Sequence, residues 1–90
     1  MNKIEIITAI NDKIRFKGFS VWRIGVTQNP EECRRFWNSE RKLCTSYWSD
    51  WQADSVPEAK EIEQSFTRRG MRDGSVGELS PHKPTYVYLF

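Results

Sequence analysis

Cysteine and histidine are scarce in this chain, and long apolar runs are missing. Two cysteines, Cys33 and Cys44, and one histidine, His82, stand among ninety residues. They form no CxxC pair, and no histidine lies near either cysteine, which argues against zinc. No stretch approaches the roughly 18 apolar residues that a membrane helix needs, and no signal peptide precedes the first polar residues. A soluble chain in a reducing cytoplasm is the expectation. The glycines make no phosphate loop, because both the spacing and the lysine-serine ending are missing. Charge of one sign is also weak. A net +2 does not by itself mark a nucleic-acid binder.

Aromatic residues and unevenly placed charges are what the chain does have. Four tryptophans, five phenylalanines and three tyrosines supply large core side chains to a single small domain spanning 1–90. Residues 11 to 42 hold eight Lys/Arg against four Asp/Glu, whereas residues 50 to 63 hold five acids and one lysine. This distribution fits a bipolar surface, a site that joins an anion to a metal, or a solvated mixture.

Asn2 and Glu5 have capping-box spacing, and Ile4, Ile7, Ile10 and Ile14 recur at three or four residues, which predicts an amphipathic helix over 3–17 stopped by Gly18. Phe19 to Thr27 reads as a strand, with Arg23 and Gly25 on one face and Trp22, Ile24 and Val26 on the other. Gly25 permits a bend or a close backbone approach. Asn29 and Pro30 then begin a helix whose apolar stripe is Cys33, Phe36 and Trp37, with Arg34 and Arg35 at its margins. Cys33 is expected to be a buried structural thiol. A second strand is predicted around Thr45 to Gln52, and Ser55 with Glu58 caps a third helix with Ala59, Ile62 and Phe66 on its inner face, ended by Gly70.

The third helix separates its acids by phase. Glu63 lies roughly 60° from the centre of the apolar face, and Glu61 lies on the opposite side. A carboxylate at the edge of a core suits a metal ligand, a buried ion-pair partner or a partly exposed structural role. Residues 71 to 84 form a long irregular segment holding Gly74, Gly77 and an exposed His82, and Thr85 to Phe90 closes the chain as a strand with Tyr86 and Tyr88 on one face.

The run WRIGVT, then NP, then paired arginines on a helix, resembles the second half of the GIY-YIG nuclease domain. Downstream, a tryptophan-rich strand precedes a helix containing Glu63, as a strand precedes the glutamate-bearing helix of that family. The resemblance implies an α+β fold: a small three-stranded antiparallel sheet packed with about three helices, here with an extra N-terminal helix. It also implies phosphodiester hydrolysis of DNA or RNA. Arg34 or Arg35 would be the phosphate clamp, and Glu63 would be the ligand of a divalent metal such as Mg²⁺. The chain departs from the family at Arg23, which stands where a tyrosine is expected, and at the isoleucine helix, which takes the place of the first family strand. If the last strand, Thr85 to Leu89, pairs beside Val21 to Val26, Tyr86 or Tyr88 takes the missing tyrosine's place, as in a circular permutation. Arg23 in the tyrosine's position argues against turnover; with Gly25 it would instead contact phosphate directly, converting a nuclease framework into a binding one.

Three functions follow for test: a metal-dependent nuclease, a catalytically silent nucleic-acid-binding or protein-interaction module on the same fold, and a homodimer built through a strand edge or an aromatic surface. Exposed Trp48 or Trp51 would favour base stacking.

Overall fold

The computed structural model describes residues 1–15, 18–74 and 79–90. Local capping starts each helix where the sequence predicts. Asn2 and Glu5 form a reciprocal capping box at α1, Lys3–Ile14. Asn29 accepts from the Glu32 N–H at α2, Pro30–Ser39, and Ser55 accepts from the Glu58 N–H at α3, Val56–Arg68. Gly70 follows α3 with a φ of 113°, a left-handed conformation that glycine adopts without strain. The buried stripe of α1 is Ile6, Ile10 and Ile14 with Ile7 at its edge. Ile4, assigned to that stripe from sequence, is 76% exposed because it lies in the first turn on the outer side. The expected continuation of α1 through residues 16 and 17, and Gly77, lie outside the described residues.

The strands correct the expected sheet. Four are present among the described residues: β1, Arg23–Thr27; β2, Ser49–Ala53; β3, Arg72–Asp73; and β4, Thr85–Leu89. Their order is β2-β4-β1-β3, antiparallel except for the short parallel β1–β3 pair, so the sheet is four-stranded and mixed rather than three-stranded and antiparallel. Phe19–Val21 is a turn of 3₁₀ helix instead of a strand start, closed by the Trp22 N–H donating to the Phe19 carbonyl. Thr45 to Trp48 is likewise a turn, closed by the Trp48 N–H on the Thr45 carbonyl, which delays β2 to Ser49.

Two cores result, one on each face of the sheet. On one face α1 and α3 cover Ile24, Val26, Val87, Leu89 and Ala53, with Ile62 and Phe66 fully buried. Each of these side chains larger than alanine contributes about 1.5–3 kcal/mol by removal from water. On the other face α2 packs Cys33 and Trp37 against Tyr88, with Phe36, Leu43, Trp48 and Phe90 around them. The strand alternation read for β1 holds: Ile24 and Val26 enter the first core, while Arg23 and Gly25 face the second. No described helix is long and apolar enough to cross a membrane.

Candidate functional site

Gly25 and Tyr88 are cross-strand partners in the antiparallel β1–β4 pair. A Cβ on Gly25 would stand 2.4 Å from Tyr88 Cζ and 2.4 Å from Tyr88 Oη, so the glycine is the space into which the phenol ring fits. The ring crosses β1 to reach Gly74, whose carbonyl accepts its hydroxyl proton, and Trp37 Nε1 donates to the same Oη at 3.0 Å. Trp48 stacks on the other side of the ring, 4.7 Å between centroids and 6° between planes. Tyr88 is fully buried. Burial, with lesser contributions from Cys33 and Glu63, pushes the phenol above its ordinary range, so it is a neutral hydrogen-bonding group at physiological pH. Tyr86, two residues earlier and half-buried, pairs with Thr27 and Gln52.

Glu63 sits half-buried on α3. Its carboxyl is pushed up to about 7, chiefly by burial and next by the Asp73 carboxylate, with Lys60 opposing. Asp73 is the register partner of Ile24, so it projects toward the α3 side of the sheet. Arg34 and Arg35 are exposed on α2, across the sheet from α3, and Arg34 Nε donates to Thr45 Oγ1 at 3.4 Å. The sheet therefore stands between the arginines read as a phosphate clamp and the glutamate read as a metal ligand. Two carboxylates satisfy the count that Mg²⁺ uses when phosphate and water supply its other oxygens. However, Arg34 and Arg35 are not placed to hold that phosphate there. Among the described residues, no group of three or more His, Cys, Asp or Glu side chains is arranged to hold a metal.

A different group of cations does converge. Arg23 and Arg72 are Cα partners on β1 and β3, so their side chains leave the sheet on the same face. Both line a recess of about 150 Å³ whose other walls are Val21, Leu43, Cys44 and Phe90. The Arg23 guanidinium lies 4.7 Å from the Trp37 ring centroid and donates to the Asp73 carbonyl at 2.8 Å. Arg41, just after α2, brings a second guanidinium to within 5.9 Å of the same ring. Cation–π contact holds these side chains in place without neutralising them. Among the described residues, Arg23, Arg41 and Arg72 make no ion pair.

Of these three arginines only Arg23 stood out in the sequence, whereas Arg72 and Arg41 were not singled out. Arg72 falls in a two-residue strand too short to show a pattern, and Arg41 falls in the polar stretch that ends α2. Cys44, on the rim of the recess, is exposed, and its thiol is lowered by the side chain and then the backbone of Ser46. Cys33 is buried, and burial raises its thiol. Comparison of the chain with protein-family models, with curated proteins and with solved structures gives no match.

Proposed function

We propose that this protein is a catalytically silent nucleic-acid-binding module whose contact surface is the arginine recess on the α2 face of the sheet. The observation that carries the reading is the pairing of Arg23 with Arg72 in a recess whose lining includes no acidic side chain. Arg41 extends that charge along the same aromatic surface. Guanidinium presents a planar fork to phosphate oxygens. A net charge of only +2 means that binding has to come from such a local cluster rather than from the whole surface.

The nuclease reading draws support from the pairing of the last strand beside Gly25, where a displaced tyrosine of a permuted GIY-YIG framework would sit. Turnover would need that tyrosine, an arginine clamp and a metal-bound carboxylate around one phosphate. The tyrosine is Tyr88, sealed between Trp48 and Gly25, and the sheet lies between Glu63 and the pair Arg34 and Arg35. The binding reading needs none of these to meet.

The test is titration of labelled oligonucleotides by fluorescence anisotropy, with and without Mg²⁺. We expect saturable binding near 50 mM salt that weakens steeply by about 200 mM. Arg72→Ala and Arg23→Ala should each weaken it about 5- to 10-fold, at the scale of one solvent-exposed contact of about 1 kcal/mol. Glu63→Ala should leave it unchanged. Cleavage that requires Mg²⁺ and disappears in Glu63→Ala and Arg34→Ala would restore the nuclease instead.

A further inference from the structure

We propose that the arginine recess takes the terminal phosphate of a nucleic-acid strand, a phosphate monoester, rather than a phosphodiester within the strand; this rests on the binding function proposed above. The two arginines start from fixed backbone. Arg23 and Arg72 are Cα partners, and β3 is tied to β1 on both sides of that pair, by the Arg72 N–H on the Trp22 carbonyl at 3.0 Å and by the Gly74 N–H on the Ile24 carbonyl at 2.7 Å. Arg23 is held further by the Trp37 ring and the Asp73 carbonyl. The recess therefore keeps two positive charges on adjacent strands, and its lining has no acidic side chain to balance them.

Charge and oxygen count favour the monoester. A phosphate within a strand carries one negative charge and two free oxygens, which a single guanidinium fork satisfies. A terminal phosphate carries a charge of about −1.5 to −2 at neutral pH and three free oxygens, so it engages two forks at once.

Size and lining agree with that choice. The recess holds about 150 Å³, well below the roughly 300 Å³ at which pockets for whole small molecules begin, so it admits a phosphate group and leaves the nucleoside outside. An internal diester has to carry a nucleotide away on both sides of that small space, whereas a chain end leaves on one. The remaining walls, Val21, Leu43, Cys44 and Phe90, include no amide, carboxylate or hydroxyl side chain to read a base or a sugar. Trp48 and Trp51, the stacking candidates read from sequence, are half-buried, Trp48 against Tyr88 and Phe90 and Trp51 on the α1–α3 core. The strand end is therefore recognised by its phosphate and not by its base.

Anisotropy titrations would use one internally labelled oligonucleotide of about 20 residues in about 50 mM salt. It is prepared with hydroxyl ends, with a phosphate at one end or the other, and with that phosphate capped as its methyl ester. We expect a phosphate at one end at least to bind about 10-fold more tightly than hydroxyl ends, at the scale of added hydrogen bonds between charged groups. The methyl ester, which has lost one charge and one free oxygen, should fall back toward the hydroxyl-ended strand. Arg72→Ala should remove the preference, whereas Arg41→Ala, outside the recess, should weaken both forms alike and leave their ratio unchanged. Both side chains are exposed, so thermal melts of the two variants should match wild type. Equal affinity for phosphate and hydroxyl ends, no loss on methylation, or a preference that survives Arg72→Ala overturns the end assignment while leaving backbone phosphate binding in place. No binding of any of these oligonucleotides to wild type overturns both readings. Displacement of the phosphate-ended strand by a phosphoserine peptide at equal concentration would assign the recess to a phosphoprotein instead.

Discussion

At the scale of single residues, Glu63 shows how far helical phase can be read. Its place at the margin of the apolar face of α3 was legible from Ala59, Ile62 and Phe66, and the structure finds it half-buried there. Glu61, on the opposite side, is exposed and pairs with Lys3 at 2.8 Å. What phase did not show is the neighbour. Asp73 approaches through β3, a parallel strand of two residues that no alternation announces.

The consequence for Glu63 is pH-dependent stability. Its folded-state value of about 7 lies above the ordinary 4.5, so the folded protein keeps a proton that the unfolded chain has released between those values. The stabilisation is full below about 4.5 and is lost as pH rises to about 7, after which the carboxylate is a cost to folding. Glu63→Gln should therefore raise stability near pH 8 by about 1–3 kcal/mol, and change it little near pH 4.5. Urea midpoints at the two pH values measure this. A difference independent of pH would show that Glu63 titrates normally.

At the scale of elements, caps were easier to read than strands. Asn2, Asn29 and Ser55 each begin a helix where side-chain chemistry dictates, because a cap is a local event. Strand limits depend on turns and partners. Phe19–Val21 and Thr45–Trp48 carry residues that favour strands, yet their backbone hydrogen bonds close turns. The glycine in β1 was legible as a place of close approach, but the approaching group was not. It is the Tyr88 ring, delivered by the last strand across the β1–β4 pair.

That pair makes a sharp stability prediction. Gly25→Ala inserts a methyl group 2.4 Å from the phenol and should cost at least about 2 kcal/mol by overpacking. Gly18→Ala is the contrast, since nothing lies within 4 Å of the added carbon and the backbone φ is −68°, so its effect should stay within about 0.5 kcal/mol. Tyr88→Phe should cost about 1–3 kcal/mol, because Trp37 Nε1 and the Gly74 carbonyl lose their shared partner in a buried place. Chemical denaturation orders the three variants. A mild Gly25→Ala would mean that the β1–β4 pair yields without loss of core packing.

At the scale of the whole molecule, the sheet is a partition. It sorts α1 and α3 to one side and α2 to the other, and so it separates Glu63 from Arg34 and Arg35. Those three residues lie on correctly predicted helices, yet no pattern along the chain states which helix covers which face; only the strand order β2-β4-β1-β3 does. The same partition assembles Arg23, Arg41 and Arg72 from β1, the end of α2 and β3, three segments distant in sequence. The small net charge conceals this cluster. Its size fixes the expected salt response. Three guanidiniums that each displace one condensed counterion give a slope of about −2 to −3 in a plot of log affinity against log salt, at about 0.7–0.9 per phosphate. Arg72→Ala should make the slope shallower by about 0.7–0.9, and Glu63→Ala should leave it unchanged. The measurement is a series of titrations of labelled oligonucleotides across salt concentrations. An Arg72→Ala slope equal to that of wild type would place the phosphate contacts elsewhere on the surface, because removing a guanidinium that meets phosphate has to remove the counterion release that goes with it.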